Sequence, residues 1–214
     1  MSAPAFFARW RVRLGYPLAI IVLLLAHPTP QSILYGALVG LVGLLIRALA
    51  AGHLHKQAVL TVTGPYAYTR NPLYFGSAIL TLGVAIATDS WIPALLLLGY
   101  FGLFYSIVMR REEQELRAHH STSFDDYARS VPLFVPRLTP AKLAGGEGAF
   151  SFAQYKKNRE YRAAIGFLLL LLVLLAIWQL RSTQHHVSAE LARVTPGPSA
   201  QATPSTTRRS AQSP

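Results

Sequence analysis

Apolar residues in this chain collect into blocks instead of recurring with the 3.6-residue rhythm of an amphipathic helix. The blocks run Leu14 to Ala26, Ile33 to Ala51, Leu73 to Ala87, Trp91 to Met109 and Ala163 to Leu180. Helices apolar all round need lipid or protein on every side, and about 20 residues cross a bilayer core. The last block holds Phe167 to Ile177 without a polar residue and is the clearest span. The first reaches spanning length only if Phe6, Phe7 and Trp10 lie in the membrane while Arg11 and Arg13 snorkel. The alternative is a signal peptide over Arg9 to Ala26, although no clear small-x-small cleavage site precedes His27. The expected fold is all-α, an integral membrane helical bundle of about five transmembrane helices, one per block, with a cytosolic helical segment and a disordered carboxyl-terminal tail.

Basic residues orient it. Arg9, Arg11 and Arg13 precede the first block, Lys56 and Arg70 follow the second, and Arg110 to Arg162 carries ten Lys and Arg, whereas His27 to Ser32 and Thr88 to Ser90 carry none. Cytoplasmic flanks are the basic ones, so the amino terminus is expected in the cytoplasm and the carboxyl-terminal tail on the opposite side. Residues 181–214, rich in Ser, Thr, Pro, Ala and Gln, are expected to be disordered.

Composition agrees: the 214 residues are 52% hydrophobic and 14% charged. The net charge of +11 lies along membrane flanks and forms no nucleic-acid motif, so anionic lipid headgroups are the expected partners. With no cysteine, disulfides, thiolate metal sites and cysteine nucleophiles are excluded.

Two polar islands separate the blocks. In the first, Gly64-Pro65 marks a turn, Pro72 suits the first turn of the following helix, and Asn71 is expected as its N-cap. Arg70 then lies beside a helix N-terminus, where a carboxylate or phosphate would bind. Equally, Arg70 is a headgroup anchor and Tyr66, Tyr68 and Tyr74 an ordinary aromatic belt. The second island starts at Arg110-Arg111-Glu112-Glu113-Gln114-Glu115. If the helix continues, Glu112 and Glu113 sit near the bilayer surface, where an unpaired acid is costly. Pairs Arg111–Glu115 and Glu113–Arg117 at i,i+4 spacing would make this a solvated extension. The hairpin Leu73 to Met109 nevertheless returns both islands to one cytoplasmic face.

These residues resemble the membrane methyltransferase group that includes isoprenylcysteine carboxyl methyltransferases and phospholipid N-methyltransferases. The first signature, Gly-Pro-Tyr leading to Arg-His-Pro-x-Tyr-x-Gly, reads Gly64-Pro65-Tyr66 and Arg70-Asn71-Pro72-Leu73-Tyr74-Phe75-Gly76, with Asn71 in place of His. The second is a Glu-Glu pair, a Leu, aromatics and Val-Pro, matched by Glu112, Glu113, Leu116, Tyr127, Val131 and Pro132. His120-Ser121 departs from the usual Phe-Gly, and Phe124 stands where Tyr is common. The likeness covers His53 to Pro136. The expected organisation is two amino-terminal helices over 1–52, a methyltransferase core over 53–137, a cytosolic linker over 138–162, a helix over 163–180 and the tail.

The resemblance implies S-adenosylmethionine as methyl donor and an apolar acceptor entering from the bilayer, with no metal. It assigns cofactor binding to Gly64, Pro65, Tyr66, Tyr68, Arg70, Asn71, Pro72, Tyr74, Gly76, Glu112 and Glu113, and catalytic roles to Arg70 and Glu112. It also suggests a multi-pass protein of a bacterial inner membrane. Two other readings stay open: a membrane reductase using a nicotinamide cofactor, and a non-catalytic membrane scaffold. Residues His53, His55, His119 and His120 read as solvated loop histidines more readily than as ligands. Arg47, inside the second block, either snorkels or lines a substrate path.

Overall fold

A computed structural model describes residues 3–54, 60–143 and 149–194. The described residues form helices α1 (Ala3–Leu25), α2 (Pro30–His53), α3 (Pro72–Ala87), α4 (Trp91–Ser130), α5 (Phe152–Lys157) and α6 (Tyr161–Val194), with a 3₁₀ turn at Gly64–Ala67 before α3. No strand occurs among them. Three helices are long and apolar enough to cross a membrane, within Pro30–His53, Trp91–His120 and Tyr161–Leu191; the apolar parts Arg13–Leu25 and Pro72–Ala87 are shorter. Leu24, Leu95 and Leu168 are among many large apolar side chains more than half exposed, an outer surface suited to lipid.

The α2 start is fixed locally. Thr29 accepts from the Ser32 backbone N–H at 3.1 Å while the Ser32 hydroxyl accepts from the Thr29 N–H at 2.9 Å, a capping box with Pro30 at the first helical position. Nearby, the His27 N–H donates to the Thr88 carbonyl at 2.8 Å, and Thr29 donates to Asp89 at 3.1 Å, tying the two short connections together.

Helices α2 and α3 meet main chain to main chain. A Cβ on Gly43 would lie 2.6 Å from the Gly76 carbonyl oxygen, one on Gly76 2.8 Å from that of Gly43, and one on Gly83 2.6 Å from the Gly40 nitrogen. Small residues give membrane helices this closeness, and each such position is closed to a side chain. The aromatic ring of Phe167, from α6, fills the space over Gly40. Further along, Ala26, Ala87 and Leu174 form a buried cluster that brings α6 against the α1–α2 and α3–α4 connections.

Helix α4 runs past the apolar boundary to Ser130, the helical extension weighed for the second island, because Glu, Gln, Leu, Arg and Ala after Met109 are good helix formers. The fold departs from expectation in two places. The expected linker over 138–162 contains α5. The last helix continues past Leu180 to Val194, since adding residues to a formed helix is far cheaper than nucleating one. The chain divides after Trp178; the part from Gln179 is a separate unit, and everything below concerns the first. Expectations for Lys56, His55 and residues 195–214 lie outside the described residues.

Candidate functional site at the two polar islands

Gly64 opens the 3₁₀ turn with φ +56°, a left-handed conformation suited to glycine, packed against the His53 ring. Pro65 follows as its first residue. The turn is then strapped to the chain beyond α4. The Ala141 N–H donates to the Ala67 carbonyl at 2.9 Å, Arg137 to that of Tyr68 at 3.0 Å, and Arg70 to that of Pro132 at 2.9 Å. Thr69, fully buried, donates through its hydroxyl to the Phe134 carbonyl at 2.9 Å. Beneath lies a cluster of Phe124, Tyr127 and Val131, with Tyr127 donating to the Tyr66 carbonyl at 2.8 Å.

Burial pushes both phenols well above the usual tyrosine range. For Tyr66 the neighbouring Tyr127, Glu112 and Glu160 add to the rise; for Tyr127 the Arg70 charge opposes it. Both rings stay neutral at physiological pH, and the Tyr127 hydroxyl serves as a hydrogen-bond donor.

The two islands meet. The Arg70 Nη1 donates to Glu113 Oε1 at 2.6 Å, with side chains 13% and 21% exposed, and the Tyr74 hydroxyl donates to Glu112 Oε1 at 2.6 Å. The Arg70 guanidinium lies 6.0 Å from the Phe124 ring centroid, and Arg117 lies on the same ring at 5.5 Å. Arg117 pairs with Asp125 at 3.0 Å, so the i,i+4 pair expected between Glu113 and Arg117 does not form, while Arg111–Glu115 does at 2.8 Å. The second carboxylate of the pair is thus drawn to Arg70, where partial burial makes a charge-assisted bond stronger than on a solvated helix face.

One polar atom stands out. Arg70 Nε is buried and has no hydrogen-bond partner among the described residues. An unsatisfied buried donor costs about 1–3 kcal/mol, so an acceptor belongs there. The backbone N–H groups of Tyr66, Tyr68, Thr69, Arg70 and Asn71 are already committed to acceptors within the protein.

Other expected site residues have different tasks. Asn71 occupies the N-cap position of α3, but its side chain makes no capping bond and donates to the Leu133 carbonyl at 3.0 Å. The strap from Pro132 onward competes for the amide and wins it. Gly76 is turned toward α2 and is used in helix packing, away from the acids. Pro72 is fully buried at the start of α3, and Tyr68 is about one third exposed. His53 Nδ1 and His119 Nδ1 each lie within hydrogen-bond distance of a carbonyl of their own helix, at 2.8 and 2.7 Å.

Arg47 does not merely snorkel. Its Nε and Nη2 donate to Glu160 Oε2 at 3.1 and 2.6 Å, and its Nη1 donates to the Ser77 hydroxyl. Glu160 was not anticipated. A single acid set among Lys156, Lys157, Arg159 and Arg162, directly before the last apolar block, was the available signal. Asn158 Nδ2 donates to the Ala51 carbonyl at 2.8 Å and Gln154 Nε2 to that of Leu54 at 2.6 Å, so α5 and its flank cap the end of α2.

A groove of about 590 Å³ adjoins this region, lined by Gly15, Tyr16 and Ala19 of α1, Arg47, and Tyr74, Tyr100 and Tyr105 of the hairpin. Tyr74 belongs to both places: its ring packs edge-on against Tyr105 at 5.4 Å and its hydroxyl reaches Glu112.

The fold and the paired islands define an α-helical membrane protein whose two motifs close over a buried arginine. Residues 48–122 match the phospholipid methyltransferase family model, bearing out the resemblance carried by the motifs. The chain is 39% identical over 84 residues to the nickel-cobalt-cadmium resistance protein NccN of Alcaligenes xylosoxydans xylosoxydans, covering 39% of each chain. It is 33% identical over 113 residues to the cobalt-zinc-cadmium resistance protein CzcN of Cupriavidus metallidurans, covering 53% of this chain and 50% of that one. It is 30% identical over 90 residues to the protein-S-isoprenylcysteine O-methyltransferase of Schizosaccharomyces pombe, covering 42% and 38%. The chain therefore spans half or less of the length of these relatives. No solved structure matches it significantly.

Proposed function

We propose that the protein is a membrane methyltransferase that uses S-adenosylmethionine and methylates a lipid-like or isoprenylcysteine-like acceptor drawn from the bilayer, at a carboxyl oxygen or an amine nitrogen. The observation that carries this reading is the buried, unpartnered Nε of Arg70 within the paired islands. A guanidinium already anchored by Glu113 and lacking one acceptor fits the carboxylate of an amino-acid-like cofactor. The family match over residues 48–122 and the name of the fission yeast relative support the same chemistry.

In this reading S-adenosylmethionine supplies an electrophilic methyl group on a sulfonium. The turn from Gly64 through Pro65, Tyr66 and Tyr68 to Asn71, Pro72 and Tyr74 shapes the binding wall, Arg70 holds the carboxylate, and Glu112 and Glu113 offer acceptors for ribose hydroxyls or the amino group. Orientation alone contributes about 7–11 kcal/mol in favourable cases, so positioning is the main task of these residues. A carboxylate acceptor needs no base; an amine must lose a proton, for which Glu112, hydrogen-bonded to Tyr74, is a candidate. The cytoplasmic amino terminus and a bacterial inner membrane belong to this proposal.

Among the described residues no group of three or more His, Asp or Glu is placed to hold a metal ion, and the reading draws nothing from the metals in two relatives' names. The test is calorimetric titration of the purified protein in detergent with S-adenosylhomocysteine, then incubation of native membranes with isotopically labelled methyl donor and mass spectrometry of the product. Saturable binding and a labelled lipid-like product are expected. Absence of binding by the parent protein sinks the reading.

A further inference from the structure

Gly64 opens the signature turn, and glycine is the residue least able to hold a conformation by itself. Its φ of +56° is fixed from outside: a Cβ on Gly64 would lie 2.5 Å from Cδ2 of His53, so the imidazole rests directly on the Gly64 backbone. His53 is the last residue of α2, and its Nδ1 lies 2.8 Å from the Leu49 carbonyl oxygen. That oxygen only accepts, so Nδ1 carries the hydrogen and the ring is anchored to its own helix. A second ring bears on the imidazole, for Phe150 meets it edge-on with 6.1 Å between centroids. A Cβ on Gly52 would overlap the Phe150 ring. Two glycines thus frame one histidine: Gly52 admits Phe150, and Gly64 admits the imidazole.

Phe150 comes from beyond residues 48–122, the segment shared with the family model, and its own segment is braced at four points. The Ser151 N–H donates to the Gly52 carbonyl at 3.0 Å, Gln154 Nε2 to that of Leu54 at 2.6 Å and Asn158 Nδ2 to that of Ala51 at 2.8 Å, while Glu160 pairs with Arg47 at 2.6 Å. The Phe150 ring is 45% exposed, so half of its apolar surface contributes nothing to burial. What the bracing secures is its position.

We propose that Phe150 and His53 are positioning residues for the Gly64 turn: Phe150 holds the imidazole on Gly64, and the imidazole keeps the turn in the conformation that places Tyr66 through Arg70. This rests on the methyltransferase reading, in which the turn is a wall of the S-adenosylmethionine site. A wall already formed spares the entropy of ordering it when the cofactor arrives, so the contribution falls on cofactor affinity. The segment after the family-matching residues thereby takes part in the site without touching the ligand, acting through one histidine.

Two measurements on the purified full chain in detergent test it. The first is hydrogen exchange, read by mass spectrometry without ligand, over peptides covering residues 60–71. Phe150→Ala should speed exchange there several-fold, because the Tyr66, Tyr68 and Thr69 N–H groups donate within the turn that the substitution loosens. The second is S-adenosylhomocysteine affinity, which Phe150→Ala and His53→Ala should each lower on the order of fivefold to tenfold. Because one residue acts through the other, the double variant should lose little more than His53→Ala alone. Phe150→Tyr keeps the ring and should bind as the parent does. Thr29→Ala, which removes the cap at the opposite end of α2, should lower the melting temperature and leave both readouts unchanged. Unchanged exchange in Phe150→Ala, unchanged affinity in that variant, or losses that add in full overturns the proposal. If the parent binds no S-adenosylhomocysteine, the methyltransferase reading falls, and exchange over the turn still decides whether Phe150 positions it.

Discussion

Arg70 and Glu113 approach to 2.6 Å from opposite ends of the α3–α4 hairpin, although the helix offers Glu113 a cation of its own at Arg117. The pair therefore ties the residue before α3 to the polar part of α4. Arg70→Ala should lower S-adenosylhomocysteine affinity on the order of tenfold or more and destabilise the protein by about 3–5 kcal/mol, because a partly buried Glu113 is left uncompensated. Glu113→Gln should cost less in both. Titration calorimetry and thermal unfolding in detergent check the ordering; equal affinities in parent and Arg70→Ala would remove Arg70 from the site.

Tyr127 holds the signature turn by its hydroxyl on the Tyr66 carbonyl. Tyr127→Phe strands that carbonyl and should cost about 1–3 kcal/mol, with little change in helix content. The same phenols predict a pH limit. Their folded pKa values are raised, so the folded state keeps protons that the unfolded chain loses above about pH 10. Their stabilising contribution is complete below that point and falls as pH rises beyond it. The melting temperature should decline in the alkaline range, and less steeply in Tyr127→Phe.

Glycines on the two sides of the molecule should respond in opposite ways. Gly43→Val drives a side chain into the backbone of α3 and should destabilise by at least about 1–3 kcal/mol, if the protein folds at all. Gly99 and Gly102 of α4 have nothing within 4 Å of a built Cβ. Alanine there should be neutral or stabilising by up to about 1 kcal/mol through helix propensity. Thermal unfolding in one detergent compares the set.

The absence of cysteine makes topology directly testable. Cysteine introduced for Gln31, in the first turn of α2, should react with a membrane-impermeant maleimide added outside intact cells. Cysteine introduced for Thr139 should react only after the membrane is opened. The reverse pattern rejects a cytoplasmic amino terminus.

The apolar blocks announced α2 to within three residues at either end and the start of α6 to within two, because a run without polar side chains has few alternatives to a buried helix. They understated α4, where hydropathy ends at Met109 but helix propensity does not. At the site, the Gly64-to-Gly76 and Glu112-Glu113 motifs were legible because their spacing is local. Which Glu meets Arg70 was not, since it depends on the rotation of α3 against α4. The strap from Pro132 to Ala141 and the Arg47–Glu160 pair were equally hidden. They are contacts between distant segments, and neither helix periodicity nor turn chemistry encodes them. Asn71 illustrates the cost of local reasoning: a good N-cap residue in the right position is claimed by a carbonyl from far along the chain.

The contact of Gly43 with Gly76 has one more consequence. Because α2 and α3 touch through their main chains, the spacing from Arg47 to the Pro72 end of α3 is set by backbone with no side chain between to yield. Those glycines act as a ruler. The Arg47–Glu160 pair on one side and the Arg70–Glu113 pair on the other are thereby held at an interval the protein cannot stretch.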